Sequence, residues 1–129
     1  MRLIQNSNDV PAATLVLAND DDVLARADEL RSAAAVMLHF PKWTDGRAYS
    51  QAVLLRGRLR YSGEILAHGE VLIDMLPLLR RCGFDAVQLR TDQSLEAAAR
   101  VLGVLPGPFS GHYQGDAAGS RPLFARQAA

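Results

Sequence analysis

The run Ala33-Ala34-Ala35-Val36-Met37-Leu38-His39-Phe40 constrains the fold more than any other stretch. It is apolar without alternation until His39. A strand with one wet face alternates apolar and polar residues. A continuous apolar run is expected of a strand in a parallel sheet covered on both faces. Pro41 ends it, because proline cannot donate to a strand ladder. Parallel strands need long crossovers, and the chain supplies them on both sides. Thr14-Leu15-Val16-Leu17 is a shorter run of the same kind, and Glu64-Ile65-Leu66-Ala67-His68-Gly69 and Phe84-Asp85-Ala86-Val87-Gln88-Leu89 follow later. Leu3-Ile4 is a weaker strand signal, and Asn6-Ser7-Asn8-Asp9 reads as a turn.

Helical patterns lie between these runs. The spacing of Val23, Leu24, Ala27 and Leu30 predicts a helix over 21–31, capped by the acidic run Asn19-Asp20-Asp21-Asp22. Capping is the preferred reading of that run over a metal site. Ala48, Ala52, Leu55 and Leu59 predict a helix over 46–61. Arg47, Arg56, Arg58 and Arg60 are expected on its solvated face, and Gly63 is expected to supply the left-handed closing residue. Val71, Leu72, Met75, Leu76 and Leu79 predict a helix over 70–82, kinked or shortened by Pro77 and closed by Gly83. A last helix is expected over 95–102, with caps among Thr91, Asp92, Gln93 and Ser94.

Strand and helix thus alternate about four times, which predicts an α/β fold with a parallel sheet and right-handed crossovers. Two architectures fit: a half-barrel of βα units resembling part of a TIM barrel, which is preferred, and an open doubly wound sheet. A half-barrel leaves edges needing cover, so a homodimer is expected. One domain is expected over 1–114. The Pro- and Gly-rich chain after Gly103 reads as loop or arm, with 115–129 as a flexible C-terminal tail.

In either architecture ligands bind at the C-terminal ends of the parallel strands. That rule gathers Lys42, Trp43, Asp45, Gly46, Arg47, Tyr49 and Ser50 after the second strand of the repeat. It adds His68, Glu70 and Asp74 after the third, and Arg90, Thr91 and Asp92 after the fourth. Lys42, Arg47 and Arg90 are candidate anion-binding residues, helped by backbone N–H groups at a helix start. His68, Glu70 and Tyr49 are candidate proton-handling, catalytic residues. Trp43, Asp45, Gly46, Ser50 and Asp74 are candidates for a loop or interface role. The competing reading makes Asp45, Thr91 and Asp92 caps, Glu70 a helix-start carboxylate, and Arg47 a partner of Asp45 or Asp74. His39 reads as a core or strand-end histidine, with a catalytic base as the alternative.

Composition excludes several classes. Fourteen Lys and Arg balance fourteen Asp and Glu, which argues against a nonspecific nucleic-acid binder. All of those cations but Lys42 are Arg. Arg suits oxyanions, although a Gly- and Ala-rich composition explains the excess more simply. Cys82 is the sole cysteine, so no internal disulfide or cysteine cluster is expected; it reads as a buried packing residue. No apolar run approaches the roughly 20 residues of a membrane helix, and the start is too polar for a signal peptide. Cytoplasm is the expected compartment, with neither nucleic acid nor membrane as partner. No phosphate-binding loop, dinucleotide fingerprint, nucleophile elbow or metal-spaced His/Cys set occurs, and no cofactor is legible.

Phe40-Pro41-Lys42-Trp43-Thr44-Asp45-Gly46-Arg47-Ala48-Tyr49-Ser50 resembles the signature F-x-K-F/W-x-D-G-R-x-Y-S of the bacterial domain of unknown function number 934. The resemblance continues through Gly63-Glu64, Gly69-Glu70-Val71-Leu72-Ile73-Asp74-Met75 and Arg81-Cys82-Gly83-Phe84-Asp85-Ala86, and ends near Phe109-Ser110 and Tyr113-Gln114. Glu70 stands where the family more often has Asp, and Met75 where it more often has Gln. Members are often encoded beside sulfite reductase and are commonly labelled oxidoreductases of sulfite reduction. The resemblance therefore implies an accessory role in assimilatory sulfite reduction, with sulfite reductase as the implied partner. It assigns no catalytic residue. A non-catalytic interaction module for sulfite reductase and an oxyanion sensor are the alternatives.

Overall fold

The computed structural model describes residues 1–104. The expected domain end at 114 and the expected tail lie outside those residues. Five parallel strands form one open sheet: β1 (Arg2–Leu3), β2 (Thr14–Leu17), β3 (Ala35–Phe40), β4 (Glu64–Gly69) and β5 (Ala86–Val87), in the order β1-β5-β4-β3-β2. Between and after them run α1 (Ala27–Arg31), α2 (Arg47–Gly57), α3 (Leu76–Arg81) and α4 (Leu95–Val104).

From β2 to β5 the strands lie side by side in chain order. All four helices pack on one face, where Leu17, Val36, Leu38, Phe40, Ile65, Ala67 and Val87 meet Leu30, Ala48, Ala52, Leu55, Leu76, Leu79 and Ala98 in a single buried cluster. The opposite face carries a small separate cluster of Ile4, Ala35, Met37, Leu66 and Ala86, joined by Val10 from the N-terminal segment. One helical layer on a sequentially ordered sheet is the winding of a half-barrel. A doubly wound sheet would place helices on both faces. The arc does not close, because β1 and β2 form its two edges.

Several local expectations are corrected. The helix expected over 21–31 is reduced to α1. The acidic run uses its carboxylates on the local backbone instead: Asp21 accepts the Ala18 N–H at 2.8 Å, and Asp22 accepts those of Leu24 and Ala25 at 3.0 and 3.2 Å. Such side-chain bonds offer the chain an alternative to helix. The helix expected over 70–82 starts late. A 3-10 turn over Ile73–Met75 precedes α3, and Pro77 sits in the first turn of α3, where its missing N–H costs nothing. After α2 the left-handed residue is Arg60 (φ 56°), not Gly63.

The largest correction is Arg56. It is not on a solvated face but fully buried. Its guanidinium donates to the carbonyls of Tyr61, Gly63 and Gly83 and to Asp85 Oδ2 at 2.6 Å. Asp85 also accepts the Ile65 N–H at 2.9 Å, and Tyr61 Oη donates to the Ala33 carbonyl at 2.8 Å. These bonds tie together the segments that enter β3, β4 and β5. Gly83, at φ 103°, leaves the space the Arg56 stem occupies; a Cβ there would lie 2.7 Å from Arg56 Cγ. The N-terminal edge of the sheet is therefore a sealed polar clamp.

Candidate functional site at the C-terminal edge of the sheet

Four loops leave the C-terminal ends of β2 to β5, and hydrogen bonds link them in series. Asn19, after β2, donates to Asp45 Oδ2, after β3, at 2.7 Å. Gln51 is buried in α2 and donates to the carbonyls of Ala18 and Asp21. Glu70, after β4, donates its N–H to the Phe40 carbonyl at 2.8 Å and accepts the Trp43 N–H on its carboxylate at 3.2 Å. Arg90, after β5, donates its N–H to the Val71 carbonyl, and Gln93 accepts the Ile73 N–H. The sequence marks Asn19 and Gln93 only as cap candidates and gives no signal for Gln51.

The loop between β3 and α2 stands out of this lattice. Lys42, Trp43, Gly46, Arg47 and Ser50 are exposed, Trp43 by 54 %. Asp45 accepts the Arg47 backbone N–H at 3.1 Å, but the N-cap of α2 is Gly46, one residue later than the expected cap, and it carries no side-chain cap. Asp45 also grips the Arg47 guanidinium at 2.8 Å, which holds its carboxyl down at about 2. Asp92 does the same for Arg90 at 2.7 Å and is likewise held at about 2. The cap of α4 is Ser94, whose Oγ accepts the Ala97 N–H. Two of the three candidate anion-binding cations thus already have a carboxylate partner. Asp74 is exposed on the 3-10 turn and is not the partner of Arg47.

The candidate proton-handling residues do not form one group. Tyr49 packs edge-on against Phe40 with ring centroids 5.1 Å apart, and burial pushes its hydroxyl up to about 12. A phenol so placed holds its proton at neutral pH. Glu70 bonds the Trp43 backbone rather than His68. The neighbour of His68 is His39: the two are register partners on β4 and β3, with ring centroids 4.7 Å apart and planes tilted by 46°. Burial, and then the nearby His39, push the His68 imidazole below its ordinary value, so it is neutral at neutral pH. His39 Nδ1 and His68 Nε2 are both buried without a hydrogen-bond partner. Gly69, at φ 103°, has no Cβ to crowd the His39 ring; one would lie 3.0 Å from Nδ1.

Chemically, the edge offers an exposed aromatic, two arginines paired with near-neighbour aspartates and a pair of adjacent imidazoles. Among the described residues no group of three His, Cys, Asp or Glu is placed to hold a metal ion. Cys82 is buried, as its expected packing role requires. No helix among the described residues is long and apolar enough to cross a membrane. No curated protein and no solved structure matches the chain. Its residues 14–124 match the sequence profile of the family described as bacterial protein of unknown function (DUF934), and the chain belongs to that family.

Proposed function

We propose that this protein is an accessory factor of assimilatory sulfite reduction that docks on a partner, sulfite reductase, through the loop 40–50. The pathway rests on the family resemblance. The docking role rests on one observation: Trp43 is 54 % exposed on a loop whose Asp45 and Arg47 pair with each other and whose backbone is held by the Glu70 carboxylate. An exposed aromatic on a braced loop has the chemistry of an interface anchor. The distribution of His68, Glu70 and Tyr49 favours docking over catalysis, since the three share no hydrogen bond.

Immobilised protein should capture sulfite reductase at low salt, and Trp43→Ala should weaken capture by roughly tenfold or more, the loss of an interface hot spot. Failure of the wild-type chain to retain sulfite reductase sinks the proposal.

A second reading has its own observation. The Arg47–Asp45 and Arg90–Asp92 pairs are formed between near neighbours, and Arg47 and Asp92 are well exposed. Such pairs are weak in water, so an incoming oxyanion can displace the carboxylates and take both guanidinium groups. Sulfite, sulfate or phosphate should then raise the melting temperature, and Arg47→Glu should abolish the rise. An unchanged rise in that variant rejects this reading.

A further inference from the structure

We propose that His39 and His68 together bind a divalent transition-metal ion of the zinc type on the sheet face opposite the helices. The proposal does not rest on the sulfite reading.

The argument begins with the strands. His39 and His68 occupy partner positions on adjacent parallel strands, so the backbone ladder fixes their spacing. Both project to the face that carries Met37 and Leu66, away from the helices. Their rings are tilted rather than stacked, with centroids 4.7 Å apart. Two nitrogens bound to one zinc, each at about 2.0–2.1 Å, fit rings at such a separation.

Each ring also presents a buried nitrogen that bonds nothing in the chain, His39 Nδ1 and His68 Nε2. The rings do not bond each other. A buried unpaired nitrogen costs free energy, and two of them on adjacent rings of a rigid sheet suit a shared ion better than a packing defect. Neutral imidazole is the form that binds metal. Gly69 preserves room beside His39 Nδ1.

His39 and His68 are each only partly buried as residues, which lets an ion approach them. No third His, Cys, Asp or Glu among the described residues joins the pair. Water or an anion would fill the remaining positions, as at open zinc sites. The affinity is accordingly below that of closed structural sites.

The test uses the full chain freed of metal by chelation. Zn2+ is titrated calorimetrically, and Co2+ is titrated by visible absorption. One ion per chain is expected, with binding at least roughly tenfold weaker in His39→Ala and in His68→Ala. Circular dichroism of the metal-free variants checks that they fold. If either does not, long-range proton–nitrogen spectra of the wild-type protein decide the matter. Zn2+ should move the resonances of His39 Nδ1 and His68 Nε2. Absence of binding at millimolar Zn2+, binding undiminished in the double variant, or resonance shifts confined to His112 would each overturn the proposal.

Discussion

An arginine paired with an aspartate occurs at both ends of the sheet, and the two pairs differ in nearly everything else. At the N-terminal edge Arg56 is fully buried, sits 2.6 Å from Asp85 and also serves three backbone carbonyls. At the C-terminal edge the Arg47 side chain is 62 % exposed and holds Asp45 at 2.8 Å. The chemistry is the same, but the surroundings decide its use. Buried, the guanidinium must satisfy every donor and is locked in place. Exposed, it exchanges partners with water and with ligands at little cost. Parallel α/β folds commonly keep stability at one end of the sheet and function at the other. Here the buried pair lies at the N-terminal end and the pair with the exposed guanidinium at the C-terminal end.

The contrast can be broken experimentally. Arg56→Ala removes the guanidinium that Asp85 and three backbone carbonyls accept from and should destabilise the fold by about 3–5 kcal/mol, read from urea unfolding. A loss under 1 kcal/mol would mean that the clamp is ornamental. Gly69→Ala comes next. It forces a left-handed backbone on a residue with a Cβ and crowds the Phe40 carbonyl. The strain should cost about 1–3 kcal/mol, so an unaltered unfolding midpoint would refute the tight seat assigned to His39.

A pH titration separates the ends further. His68 is held below its ordinary value of about 6.5. As pH falls, the unfolded chain therefore takes up its proton first. The stability from the neutral ring is complete above about 6.5 and drains away as pH drops through the lower folded value. In His68→Asn that loss is absent, so stability should fall less between pH 7 and pH 5 than in the wild type. Parallel curves would argue that His68 is not buried against His39. Arg47→Ala should have the smallest effect of all, an unfolding midpoint indistinguishable from wild type, since its guanidinium is largely solvated. A marked drop would place structural weight on the wrong edge.

Much of this was legible in the chain. β2 and β4 are apolar runs bounded by turn residues, and their extents match the expected strands. β3 is the core of its run. What failed was context. Arg56 was read by residue type as solvated, yet it lies four residues after Ala52 and three before Leu59, on the apolar stripe of α2. The spacing held the signal, and the charge obscured it. The shortening of α1 came from aspartates that bonded their own backbone, a competition that periodicity cannot register. The His39–His68 pair could not be read at all. Either histidine alone is an unremarkable strand residue, and their meeting depends on the register between β3 and β4.

The position of β1 bears on the order in which the protein assembles. Strands β2 to β5 each pair with the next in the chain, so each unit can add to one already formed. β1 instead pairs Arg2 with Ala86 and Leu3 with Val87, across almost the whole described sequence. Closing so long a loop costs more entropy than joining neighbours, and its ladder partner does not exist until β5 has formed. The N-terminal strand is therefore expected to dock last during folding and to open first, so that its amides exchange with solvent while the β3–β4 centre is still closed.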